Sequence, residues 1–231
     1  TLTATLTLSN TAAGSLSTAT SGAVTSTYVA GTGVWTASGA IADVNTLLAG
    51  VTFVPALNFN ANFTIATSVS DGVAAALTGT KAMTGTAVND APTATNLSAG
   101  ESYTEDTPLN LIDIVTGDVD NANLTVTLTL SNTAAGSLST ATSGAVTSTY
   151  VAGTGVWTAS GAIANVNTLL AGVVFSPALN FSANFTIATS VSDGVAAAVT
   201  GSKAMTAVAV NDPPTATNLS AGESYTEDTP L

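Results

Sequence analysis

Apolar and polar residues alternate with period two along much of the chain. In Leu124-Thr-Val126-Thr-Leu128-Thr-Leu130 every second residue is apolar and every intervening one is Thr, which predicts a strand with one face in a core and one in water. A looser alternation runs through Phe185-Thr-Ile187-Ala-Thr-Ser-Val191, and short apolar runs at 109–115, 173–175 and 208–210 predict further strands. Turn signals at Ala135-Gly136, Gly153-Thr-Gly155, Ser160-Gly161 and Asp193-Gly194 separate them. About seven strands at this spacing make an Ig-like β-sandwich, so the expected fold class is all-β. One segment departs from the pattern: Ile163, Val166 and Leu169/Leu170 stand at helical spacing between Ala162 and Ala171, ahead of Gly172, and predict a short helix across one end of the sandwich. Trp157, Tyr150, Phe175, Phe181 and Phe185 are the bulky residues available to fill a core otherwise built from small side chains.

The pattern is written twice. Residues 1–109 return at 123–231 with 98 of 109 positions identical, an offset of 122 residues. A period of that length holds a whole domain, which points to beads on a string and not to a thin solenoid of roughly 20–50 residues per turn. The expected division is 1–90, a repeat without its N-terminal strands; 91–212, a complete repeat; and 213–231, the first strand or strands of a third. That phase fits either an excerpt of a longer array or strand exchange between neighbouring repeats.

Composition narrows the functional classes. Fourteen acidic residues face two basic ones, Lys81 and Lys203, for a formal net charge of −12. Almost nothing could neutralise phosphates, so nucleic acid is excluded as a partner. The same deficit argues against an anionic membrane surface, and no apolar run approaches the ~20 residues that span a bilayer, so no direct membrane insertion is expected. Without Cys or His, neither a disulfide framework nor Ser-His or Cys-His catalysis can be assembled. The chain is not expected to be an enzyme. Lys81 and Lys203, one per repeat, are expected on an edge strand where a charge discourages sheet-to-sheet pairing, with an isopeptide cross-link as the alternative.

The acids are clustered. In the complete repeat they stand at Glu101, Glu105-Asp106, Asp113, Asp118 and Asp120, and then at Asp193 and Asp212. Carboxylates without cationic neighbours repel one another, and a bound cation relieves that cost. Calcium suits such a set because it takes about six to eight oxygens in a tolerant geometry. The stretch Gly117-Asp118-Val-Asp120-Asn121-Ala-Asn123 offers closely spaced oxygens on a turn without being an EF-hand.

Val88-Asn-Asp-Ala-Pro-Thr, Thr104-Glu-Asp-Thr-Pro-Leu, Asp118-Val-Asp120, Leu47-Leu-Ala-Gly-Val-Thr-Phe-Val-Pro-Ala-Leu-Asn-Phe and Val69-Ser-Asp-Gly resemble, in order and spacing, the bacterial cadherin-like tandem repeats of giant extracellular RTX-type adhesins. The resemblance covers the whole chain. It implies sandwiches joined end to end, with Ca2+ stiffening the junctions. By position, it implies linker ligands at Asn89, Asp90, Asn211 and Asp212, motif acids at Glu105, Asp106, Glu227 and Asp228, a loop pair at Asp118 and Asp120, and Ser-Asp-Gly acids at Asp71 and Asp193. Ala91/Pro213 marks a departure in the linker, and the additional acidic motifs of eukaryotic cadherins are absent. The leading expectation is thus an extracellular or cell-surface extender whose partners are neighbouring repeats of the same polypeptide. Its alternatives are the subunit of a strand-exchanging fibre of like chains, or a calcium-dependent glycan-binding module using Trp35 or Trp157.

Overall fold

A computed structural model describes residues 1–217, 219–228 and 230; the expected start of a third repeat, 213–231, is therefore described except at Asn218, Thr229 and Leu231. The chain divides into two compact units, Thr1–Asn89 and Asp90–Leu231.

In the second unit the larger sheet runs in the spatial order Glu101–Thr104, Val199–Val208, Phe185–Ser192, Asn123–Leu130, Val156–Ala162, Thr149–Val151. Every neighbour pair is antiparallel except the first, where Glu101 pairs Met205 and Thr104 pairs Val208 in parallel. The opposing sheet is Leu109–Asn110, Val174–Pro177 and Gly136–Leu138. Leu124, Val126, Leu128 and Leu130 are all buried while the intervening Thr residues stay half-exposed, as the alternation predicts. Trp157 closes the core with no exposed surface and donates its indole N–H to the Ser139 carbonyl at 2.9 Å. Ile163–Ala171 is the expected helix, buried through Val166, Leu169 and Leu170, and it ends where Gly172 donates back to the Leu169 carbonyl. At Gly136 the backbone takes φ +149, and an added Cβ would lie 2.1 Å from the Ser176 carbonyl oxygen, so only glycine fits this start of a strand.

The first unit repeats these elements without counterparts of Glu101–Thr104 and Leu109–Asn110. Its larger sheet runs Thr27–Val29, Val34–Gly39, Leu2–Leu8, Phe63–Ser70, Leu77–Met83, and the smaller sheet pairs Gly14–Leu16 with Phe53–Pro55. No strand among the described residues covers the outer side of Leu77–Met83, which in the second unit carries Glu101–Thr104. The effect is visible in identical side chains. Met83 and Phe53 are half-buried where Met205 and Phe175 are fully buried.

Two sequence expectations are corrected. Lys203 does not sit on an edge: it is fully buried, because Glu101–Thr104 lies over its strand, and only Lys81 is an exposed edge-strand lysine. The glycan-binding alternative required an accessible Trp, whereas Trp35 and Trp157 both lie at 0% exposure. Both indoles are spent on core packing and a carbonyl hydrogen bond.

Candidate cation-binding poles

The acids that stand together in sequence, Glu101 to Asp120, are taken apart by the fold. Glu101 and Tyr103 are two residues apart on one strand, so both face the core. The Glu101 carboxylate meets Lys203 Nζ at 2.8 Å and accepts the Ile112 N–H at 2.9 Å, while Lys203 also donates to the Ile112 carbonyl at 3.1 Å. Glu101, which stands with the acid cluster in sequence, is drawn out of it by this pair. The signal was present in the single Lys per repeat and in the spacing of Glu101 from Tyr103.

Glu105, Asp106 and Asp212 lie toward one end of the second unit and Asp118, Asp120 and Asp193 toward the other, separated by the ten-residue strand Val199–Val208, roughly 30 Å of extended chain. One pole is built from the loop after Thr116–Gly117 and the loop after Phe185–Ser192. Asn167, on the helix, holds the first loop in place by accepting the Thr116 N–H and hydroxyl at 2.9 Å and donating to the Thr116 carbonyl. Asp118 Oδ1 then accepts the N–H groups of Asp120 and Asn121, each at 2.8 Å. Asp120 Oδ2 accepts the Asp90 N–H at 2.7 Å. Asn121 Nδ2 reaches Asp193 Oδ2 at 3.4 Å, and Asp193 Oδ1 accepts from Val195 and Ala196. The fold thus brings Asp90, Asp118, Asp120 and Asp193 into one hydrogen-bonded chain.

Asp118 Oδ2 is the exception within it. This carboxylate oxygen is buried and has no hydrogen-bond partner. Such an atom is costly to leave bare in a folded protein, and a cation is the partner that a carboxylate oxygen among further carboxylates accepts.

At the opposite pole Glu105 is buried, accepts the Val210 N–H and donates its own N–H to the Val208 carbonyl at 3.1 Å. Asp106, in the left-handed region at φ 60, accepts the Asn180 N–H at 2.8 Å. Asn211 and Asp212 are exposed, with Asn211 Nδ2 donating to the Asp212 carbonyl at 3.2 Å. Glu227 and Asp228 are exposed in the segment after 212 and join neither pole. In the first unit, Asp71 caps its own turn by accepting from Val73 and Ala74, and these two bonds hold its carboxyl below the usual value. Asn89, which closes that unit, is half-buried.

Every side-chain donor at these poles is oxygen, which fits calcium and suits neither zinc nor copper. Among the described residues no three Asp, Glu, His or Cys side chains form a group that could hold a metal ion. A calcium shell at the Asp118 pole would therefore combine the Asp118 and Asp120 carboxylates with amide and backbone carbonyl oxygens and water. No helix among the described residues is long and apolar enough to cross a membrane.

Comparison with known proteins gives structural likeness only. No family model matches the chain, and no curated protein matches it. Among solved structures it is similar to human mucin-like protocadherin EC1-2 (13% identity, TM-score 0.42, covering 69% of this chain and 75% of that one). It is also similar to human CDH23 EC21-23 (14% identity, TM-score 0.39, covering 89% and 58%). A third similar structure is domains 4 and 5 of the S-layer protein SbsC (16% identity, TM-score 0.32, covering 68% and 62%). All three superpositions are loose, and the sandwich assignment stands on the strand pairings described above.

Proposed function

We propose that this chain is a non-enzymatic structural module of an extracellular surface protein, a spacer built from repeated sandwiches whose acidic poles take calcium. The observation that carries the reading is the bare, buried Oδ2 of Asp118, set among Asp120, Asn121 and Asp193 in a chain with fourteen acids and two lysines. The lysines do not relieve that charge. Lys203 is committed to Glu101 in the core, and Lys81 lies on the first unit's open strand. The motif order of the bacterial adhesin repeats supports the same reading. Calcium at the poles would neutralise the carboxylates, order the loops that carry them and restrict the freedom of successive repeats. Small-angle scattering of the single chain tests this. The expected result is a longer and better defined maximum dimension in calcium than in chelator, and identical curves in both would refute it.

A further inference from the structure

The helix Ile163–Ala171 spends one of its polar side chains on a segment it does not belong to. Val166, Leu169 and Leu170 fix the helix in the core, and the half-buried Asn167 reaches from it to Thr116. Asn is a weak helix former, because its side chain competes for backbone bonds. Helix propensity therefore does not account for its place in the middle of this helix.

The strand pairing does. Thr93–Ala94 pairs with Thr116–Gly117 in antiparallel, and the Val115 carbonyl accepts the Thr95 N–H at 3.0 Å. Successive residues of such a ladder turn their N–H and C=O to opposite sides, so those of Thr116 face away from Thr93–Ala94. No strand among the described residues pairs with that side. The Asn167 carboxamide takes the place of one. Its Oδ1 accepts the Thr116 N–H and hydroxyl, each at 2.9 Å, and its Nδ2 donates to the Thr116 carbonyl at 2.9 Å. Thr116 is buried, so removing the carboxamide would strand all three groups away from water.

Thr116 stands two residues ahead of Asp118. Beyond Gly117 the chain turns, and Asp118 Oδ1 closes the turn on the N–H groups of Asp120 and Asn121. That leaves the buried Oδ2 bare. The direction in which this oxygen points is set by how the preceding residues are held. On one edge the hold comes from the exposed Thr93, whose hydroxyl donates to the Gly117 carbonyl at 3.1 Å. On the other edge it comes from Asn167, which is mounted on an element packed into the core.

We infer that Asn167 is a positioning residue for the Asp118 pole. It touches no ion itself; it fixes Thr116 so that Asp118 presents its free oxygen to one. The inference rests on the calcium reading of that pole and adds a residue that no acidic motif contains, on a helix without acids. Groups that orient a metal ligand from one bond further out have large effects on affinity, because a ligand free to turn away must be ordered again when the ion arrives.

The test is calorimetric titration of calcium alone into the full chain, with thermal unfolding in calcium and in chelator beside it. The binding heat that Asp118→Asn removes is the heat of this pole. Asn167→Ala is expected to weaken that binding ~10–100-fold. Thr116→Val keeps the side-chain volume, removes only the hydroxyl donor and is expected to weaken it ~2–5-fold. Thr168→Ala, next along the helix, loses a hydroxyl bonded to the helix's own Ala164 carbonyl and is expected to bind as the parent does. A residue that serves the fold alone would lower the unfolding transition equally in calcium and in chelator and leave the affinity at the parent value. That result for Asn167→Ala overturns the inference and leaves the calcium reading standing. Equal weakening in Thr168→Ala overturns it too. Should Asn167→Ala not fold, Thr116→Val decides, and parent affinity in that variant overturns the inference. A parent chain that takes up no calcium at this pole overturns both the inference and the reading beneath it.

Discussion

Lys81 and Lys203 are one residue of the repeat in two environments, and the difference can be measured. Lys203→Met leaves the Glu101 carboxylate buried without a cation and is expected to cost about 3–5 kcal/mol. The Glu101→Leu/Lys203→Met pair is expected to recover most of that loss, because both desolvated charges go together. Lys81→Met, on the open strand of a single chain, is expected to stay within about 0.5 kcal/mol of the parent. Denaturant titration followed by Trp157 fluorescence in a Trp35→Phe background reads the first two, and the converse background reads the third. Tyr103 gives a second prediction. Burial, and then the nearby Glu105 charge, raise its pKa above the ordinary value. The neutral phenol is therefore favoured in the folded state, and its contribution is complete below about pH 10 and lost as pH rises through the raised value. Tyr103→Phe is expected to weaken the alkaline fall in stability of the second unit. It is also expected to cost about 1 kcal/mol at neutral pH, through the lost hydrogen bonds to the Phe181 and Ala183 carbonyls. Urea titrations at neutral and alkaline pH separate the two effects. Burial of Glu101 was legible in principle from its two-residue spacing to Tyr103. Its partner was not, because sequence reports which face a residue takes and not which strand lies opposite.

At the scale of elements, period-two alternation found Asn123–Leu130 and Phe185–Ser192, and 3.6-residue spacing found Ile163–Ala171, whereas the run 109–115 is strand only at Leu109–Asn110 and the run 208–210 only at Val208, the last residue of Val199–Val208. The parallel pairing of Glu101–Thr104 with Val199–Val208 was not legible. It joins residues about a hundred positions apart, and an alternating pattern is satisfied by any neighbour that covers the same face. The helix itself makes a prediction. It opens at Ala162, whose backbone is extended but whose side chain caps nothing, and Ala40 opens the equivalent helix Ile41–Gly50 in the same way. The Ile163 N–H already donates to the Ala122 carbonyl, and Ala162→Ser supplies a side-chain acceptor for the N–H groups that follow it in the first turn, which is expected to stabilise the second unit by about 0.5–2 kcal/mol. No gain in a thermal or urea transition would show that those N–H groups are already satisfied by other means.

For the whole molecule, the doubled sequence led to the expectation of repeated domains, and the motif acids to the expectation of a cation. What the linear order concealed was the partition. Twenty residues of clustered acid become a buried ion pair at Glu101, one pole at Glu105 and Asp106, and another at Asp118 and Asp120, because each turn of the chain carries its neighbours to a different end of the sandwich. Among the described residues, the buried carboxylate oxygen without a donor is at the second of these poles, and that pole is where calcium binding is expected to matter most. The direct test is differential scanning calorimetry of the full chain in calcium and in chelator, beside Asp118→Asn, which keeps the Oδ1 acceptor for Asp120 and Asn121 and removes the charge. Calcium at about a hundredfold above its Kd is expected to add about 2.7 kcal/mol to the second unit, raising its transition by several degrees, and Asp118→Asn is expected to abolish the shift. Superimposable transitions with and without calcium, or an equal shift in Asp118→Asn, would contradict the assignment of that pole as a calcium site.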